Sequence, residues 1–146
     1  MIEELKLSDS NKYYELGNML NSKFKQLYPL ERIIESNTEY IYGYYLDNLL
    51  VAFIHITKSF DVIDINNIIV DQKYRNNNIG SKLINYIVNK YNDTKELLLE
   101  VRSKNTIAIN FYKKNSFKCI HIRKNYYEND DAYIMKRDVI WKILIY

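Results

Sequence analysis

The segment Ile65–Val88, INNIIVDQKYRNNNIGSKLINYIV, constrains the fold more than any other part of this chain. It opens as a β-rich apolar run and crosses a loop holding three consecutive asparagines. It continues as a helix, because Ile79, Leu83, Ile84, Ile87, Val88 and Tyr91 recur at helical spacing. A strand that feeds a loop and then a helix N-terminus can lay free backbone N–H groups against an anion. Such loops commonly use glycine where φ turns positive. Here Asn76, Asn77 and Asn78 occupy the loop, and only Gly80 follows, just inside the helix. Asparagine is the non-glycine residue that most readily takes the left-handed conformation, and it is also a preferred helix N-cap. Both roles are open to Asn78.

The remaining segments build a mixed sheet around this unit. Ile2–Leu7 reads as an opening strand, and Ser8, Asp9 and Ser10 are N-cap candidates for a helix running to about Lys25. Pro29 suits the first turn of a short helix with Leu30, Ile33 and Ile34 on one face. Tyr40–Leu46 and Leu49–Thr57 flank Asp47-Asn48 as a hairpin. Asp61–Val70 and Leu97–Val101 are strands, and Asn105–Asn115 is a helix with Ile107, Ala108, Phe111 and Tyr112 as its apolar positions. Phe117–Arg123 and Ala132–Met135 close the pattern as a strand pair around the polar stretch NYYEND. The order β-α-α-β-β-β-α-β-α-β-β describes a mixed α/β sheet with helices on its faces. Val139–Tyr146 is an apolar tail that could add a strand, cover a helix or meet a partner.

Composition excludes several classes of function. A chain of 146 residues fits a single domain. The single Cys119 rules out an internal disulfide framework and suits a reducing cytoplasm; on a strand, it reads as a small buried hydrophobe. His55 and His121 stand apart from any metal-ligand cluster, so no metal is expected. The longest apolar run, Leu49–Ile54, is too short to cross a bilayer, and the Met-Ile-Glu-Glu start lacks a signal-peptide pattern. P-loop and Rossmann glycine signatures are missing. Residues 1–72 hold 6 Lys+Arg against 11 Asp+Glu, whereas residues 73–146 hold 15 against 7. The basic second half would suit a polyanionic ligand, yet no Lys/Arg cluster is dense enough for a nucleic-acid module.

Arg75-Asn76-Asn77-Asn78-Ile79-Gly80, after a strand ending in valine, resembles the acetyl-CoA-binding motif of the GNAT N-acetyltransferases, [RQ]-x-x-G-x-[GA]. Asn78 stands where the motif has its first glycine. LLLEVRSKNTIAINFYKKNSF (97–117) and IRKNYYENDDAYIM (122–135) are similar to the RimI-type branch, which acetylates the N-terminal alanine of a small-subunit ribosomal protein. The resemblance runs from about Ile65 to Met135. That branch usually carries a Pro-Trp pair near Tyr28-Pro29-Leu30, and the Trp is absent here.

The resemblance implies a single GNAT-like domain over residues 1–146, with six to seven strands flanked by about four helices. It implies acetyl-CoA as co-substrate and no metal. The backbone of Ile68, Ile69 and Val70 would pair with the pantetheine arm. Asn76, Asn77, Asn78, Ile79, Gly80 and Ser81 would hold the pyrophosphate, and Asn105 the pantetheine further along. Glu100, a charge inside an apolar strand, corresponds to the general base, and Tyr112 to the acid facing the departing thiolate. Arg123, Tyr126 and Tyr127 would line the acceptor, a protein N-terminus. A cytoplasmic monomer or weak homodimer without nucleic-acid or membrane partners is the accompanying expectation. Two other readings stay open: acetylation of a small amine or lysine side chain, and a non-catalytic acyl-CoA-binding module.

Overall fold

The computed structural model describes residues 1–139; the expected roles of the tail beyond Val139 lie outside the described residues. Among the described residues seven strands form one sheet in the order β1-β2-β3-β4-β5-β7-β6. They are β1 (Ile2–Glu4), β2 (Glu39–Leu46), β3 (Leu49–Ser59), β4 (Val62–Val70), β5 (Glu96–Arg102), β6 (Lys118–Tyr127) and β7 (Asp130–Asp138). The helices are α1 (Ser10–Leu20), the single turn α2 (Phe24–Leu27), α3 (Leu30–Glu35), α4 (Ile79–Lys90) and α5 (Thr106–Lys114). Neighbouring strands run antiparallel except β4 and β5, which are parallel. The β2–β3 turn has positive φ at both Asp47 (50°) and Asn48 (66°), as a type I′ hairpin requires.

Two cores sit on opposite sheet faces. One packs Ile54, Ile56, Ile63, Leu97, Leu99 and Val101 of the sheet against Ile79, Leu83, Ile84 and Ile87 of α4. The other joins Phe53 and Ile69 to Tyr13, Leu16, Phe24 and Ile33 of α1–α3. Strands β5, β6 and β7 contribute nothing to this second core, so α1–α3 cover only the β1–β4 half of that face.

A bulge sets the phase of β4. His55 pairs with Asn67 and Ile56 with Ile65, which leaves Asn66 as the extra residue. Ile63 and Ile65 face the α4 core before the bulge, and Ile68 and Val70 face the same core after it. Asn67 and Ile69 are thereby turned to the α1–α3 side.

Several expectations change. The helix expected to reach Lys25 ends at Leu20, because Asn21 is extended (φ −155°) and its Oδ1 accepts the Lys23 N–H at 2.8 Å. The break lets Phe24 fold back onto Gly17, where an added Cβ would lie 2.1 Å from the ring. Asp9 occupies the N-cap position of α1 but caps nothing there; its carboxylate accepts from Lys6 N and Tyr45 O–H instead. Ile34 is 42% exposed rather than sharing the buried face of Leu30 and Ile33, and Ile107 is 83% exposed while Ile109 is buried. Cys119 is exposed, not buried, because β6 is an edge strand without a covering layer. NYYEND is mostly strand, closed by a turn at Glu128-Asn129, which places Arg123, Tyr126 and Tyr127 on β6.

Candidate active site

The parallel ladder between β4 and β5 holds only three pairs: Val62–Glu96, Ile63–Leu97 and Asp64–Leu98. Beyond Asp64 the two strands part. Asp71 N donates to Val51 O at 2.8 Å, and antiparallel pairs alternate, so Ile69 and Asn67 spend their backbone groups on β3. Ile68 and Val70 therefore turn theirs toward the gap, where Val70 O accepts from Arg75 Nε at 3.2 Å. The register thus separates Ile69 from its neighbours: it borders the cleft, but its backbone is already paired with β3.

The gap opens into a cleft of about 480 Å³ between the end of β4, the asparagine loop, the start of α4 and α5. Ile68, Ile69, Val70, Asn76, Asn78, Ile79, Gly80, Ser81 and Asn105 all line it. Asn77 does not; its amide donates to the carbonyls of Tyr74 (3.0 Å) and Arg75 (3.3 Å) and braces the loop from behind.

Asn78 has φ 60° and ψ 20°, and its side chain caps nothing. Of the two roles open to it, the left-handed turn is the one it fills. Lys82 N donates to Asn78 O at 2.9 Å to close the first turn of α4, leaving the N–H groups before it to the cleft. Gly80 serves a different need, since a Cβ there would stand 2.8 Å from Cζ of Phe111 on α5. The glycine allows the two helices to close around the cleft. Asn105 is the N-cap of α5, its Oδ1 accepting from Ala108 N at 3.2 Å. Asn76 also takes a positive φ (68°), a second left-handed position that nothing in the sequence distinguished from its neighbours.

Tyr112 lines the same cleft, with its ring edge-on to Phe111 (5.4 Å) and Phe117 (5.7 Å). Burial pushes its phenol up to about 12, so the proton is firmly held at neutral pH. Glu100 lies on the opposite face, because Leu97, Leu99 and Val101 take the α4 side of β5. Its Oε2 accepts from the Tyr127 hydroxyl at 3.0 Å, and Arg123 Nη1 stands 3.6 Å from Oε1. Burial and the bond to Glu100 push Tyr127 up to about 12, and the Arg102 guanidinium stacks 3.9 Å over its ring. Tyr126 is 54% exposed, edge-on to Tyr127 and beneath the Arg123 guanidinium, without reaching Glu100. The structure thus gathers Glu100, Arg123 and Tyr127 on one side and sets Tyr112 in the cleft on the other.

Among the described residues no group of three or more His, Cys, Asp or Glu side chains could hold a metal, and no helix is long and apolar enough to span a membrane. The sequence profile of the acetyltransferase (GNAT) family matches residues 8–117. The chain belongs to the GNAT acetyltransferase family.

Like other members of that family, it is an acetyl-CoA-dependent N-acetyltransferase. A Bacillus subtilis protein provisionally named ribosomal protein bS18-alanine N-acetyltransferase is 31% identical over 92% of both chains. The crystal structure of the ribosomal-protein-S18-alanine N-acetyltransferase from Escherichia coli shares the fold, with TM-score 0.77 and 22% identity over 95% of this chain and 93% of that one. A Bacillus anthracis acetyltransferase crystallised with acetyl coenzyme A gives TM-score 0.68 and 25% identity, covering 74% of this chain and 66% of that one. The cleft fits that co-substrate: uncapped amides at a helix N-terminus suit a pyrophosphate, and the free edge of β4 suits an amide-bearing arm.

Sequence reasoning did not single out Met19 and Leu20 of α1, which also line the cleft. It likewise left His55 as an unremarkable strand residue. His55 is in fact 1% exposed, with Nε2 2.9 Å from Glu39 Oε1 and Nδ1 3.3 Å from Asn67 Nδ2. These contacts depend on the register of three strands and carry no local signal.

Proposed function

We propose that this acetyltransferase modifies the N-terminal α-amine of a protein beginning with alanine, the reaction for which its B. subtilis and E. coli relatives are named. The observation that carries the reading is the division of labour across the parted strands. Tyr112 stands in the cleft suited to the thioester, and Glu100 stands on the opposite face beside Arg123 and Tyr127 of β6.

In this reading the amine reaches the thioester carbon through the gap. An N-terminal α-amine has a reference pKa of about 7.7–8.0, against about 10.4 for lysine, so it is already partly neutral near pH 7. Glu100 then needs only to draw off one proton as the C–N bond forms. The Val70 N–H, aimed into the gap, steadies the negative charge growing on the carbonyl oxygen. As the C–S bond breaks, charge moves to sulfur, and the Tyr112 hydroxyl donates to it. A thiol titrates near 8.5, well below Tyr112, so full transfer from an isolated phenol is uphill. Tyr112 therefore acts first as a hydrogen-bond donor to the leaving sulfur. Holding both reactants across one gap supplies a large part of the acceleration.

The deciding experiment follows acetyl-CoA consumption with an Ala-starting ribosomal-protein peptide and its N-blocked control. The free peptide is acetylated and the blocked one is not. Glu100→Gln and Tyr112→Phe lose turnover by about 10²-fold or more while still binding CoA. Full activity in both variants would overturn the role assignments, and equal activity on the blocked peptide would overturn the N-terminal acceptor.

A further inference from the structure

His55 and Asn67 form a buried polar pair that the mechanism above leaves unused. They face each other across the β3–β4 ladder, and Asn67 is 8% exposed. Both lie on the side of the sheet that carries Glu100. Counting on from Asp64–Leu98 brings Leu99 level with Ile65, and Glu100 level with the bulge residues Asn66 and Asn67. Across the open gap, then, Asn67 and Glu100 are neighbours in height and in facing.

The short hydrogen bonds around this pair run in one direction; the Asn66 amide nitrogen, 3.5 Å from His55 Nε2, gives its close bond to Thr57 Oγ1 at 2.7 Å. Glu39 accepts from Arg32 and faces His55 Nε2 at 2.9 Å, so the imidazole keeps its proton on Nε2. Nδ1 is left as a lone-pair acceptor and takes the amide N–H of Asn67 at 3.3 Å. That fixes which end of the amide is nitrogen and turns Oδ1 outward. Among the described residues Oδ1 accepts no hydrogen bond, and it is not one of the sealed unsatisfied atoms, of which Thr94 Oγ1 is the single case. A buried amide normally has its oxygen paired. An oriented acceptor with solvent access, level with Glu100, is suited to a donor that arrives with the substrate. Tyr28 closes the other side of His55, edge-on at 5.7 Å, and so belongs to the same wall.

We propose that Asn67 is a second acceptor-binding residue: its Oδ1, aimed by His55, receives a hydrogen bond from the incoming amine beside Glu100. The inference rests on the assignment of the Glu100 side as the acceptor side. Two hydrogen-bond acceptors on either side of the gap, Asn67 Oδ1 and the Glu100 carboxylate, would hold the amine with its lone pair toward the cleft. His55 acts through Asn67 and is a positioning residue.

The test compares wild type, Asn67→Leu, Asn67→Asp and His55→Phe. Each is assayed with the Ala-starting peptide and with an N-blocked peptide carrying one free lysine. Asn67→Leu keeps the branched shape of the side chain and removes the oxygen; it raises the KM of the amine substrate by about ten-fold or more and leaves the acetyl-CoA KM unchanged. Asn67→Asp, which keeps the oxygen, recovers part of that loss, and His55→Phe gives a smaller rise than Asn67→Leu. An unchanged amine KM in Asn67→Leu overturns the proposal. If Asn67→Leu fails to bind acetyl-CoA, Asn67→Ser is read by the same criterion. Should the wild type acetylate only the lysine peptide, the N-terminal reading falls, while the Asn67 effect is still decided on that peptide. A wild type inactive on both overturns the two together.

Discussion

Asn78 is the residue at which sequence and structure meet most closely. Its left-handed backbone was legible, because asparagine tolerates that region through its short, locally bonding side chain. What the sequence left open was whether the side chain also capped α4, and it does not. Asn78→Gly relieves the conformational cost and preserves or tightens CoA binding in calorimetric titration. Asn78→Val, β-branched at positive φ, costs about 1–2 kcal/mol of stability and weakens CoA binding. Normal binding by Asn78→Val would reduce the loop to a surface turn. Gly80 is needed for space and not for a positive φ. Gly80→Ala meets the Phe111 ring, and a loss of about 1–3 kcal/mol is expected in thermal unfolding, with weaker CoA binding. Tyr127 was expected to line the acceptor; its hydroxyl also reaches Glu100, a contact across 27 positions that no local pattern encodes. Tyr127→Phe frees Glu100 Oε2 and should lower kcat more than it raises the peptide KM. The reverse split would return Tyr127 to substrate binding alone.

Among the elements, β4 shows why strand existence was readable and strand phase was not. The run from Asp61 to Val70 announces a strand, but the extra residue at Asn66 shows only in the pairing with β3. Were Asn66 paired as an ordinary rung, Ile68 and Val70 would face α1–α3 and the cleft wall would be inverted, since a one-residue slip flips every side chain. Deleting Asn66 leaves Ile65 on Ile56 and Asn67 on His55 as consecutive rungs, so Ile68 and Val70 keep their facing and CoA binding should survive in calorimetric titration. Lost binding would mean that the bend of the bulge itself, beyond the phase it accommodates, shapes the cleft. The split between α1 and α2 escaped detection for a similar reason: Phe24 returns to Gly17 through a contact that helical periodicity cannot display. β6 and β7 were read too short because NYYEND is polar, yet an uncovered edge strand has no need of apolar residues.

For the whole molecule, the basic second half of the chain was a usable signal, since Arg75 and Lys114 both reach the cleft. His55 makes one contribution to the pH response. Burial holds its imidazole below the ordinary 6.5, against the opposing pull of Glu39. The unfolded chain takes up that proton near pH 6.5 and the folded chain resists it to lower pH. This contribution is therefore complete above about 6.5 and is lost as pH falls toward the folded value. Calorimetric Tm should drop between pH 7 and 5, and His55→Phe should flatten the upper part of that drop. An identical profile in the variant would assign the acid loss to other groups.

The three-pair ladder between β4 and β5 has a mechanical meaning as well. It makes the sheet two panels joined by a short seam, β1–β4 and β5–β7–β6, with the site at its unfastened end. A molecule that pairs with Ile68 and Val70 works as a clasp, so the reactant completes the architecture of the enzyme that consumes it. Amide exchange at those two residues should slow when CoA is added, and unchanged exchange would mean that nothing fastens there.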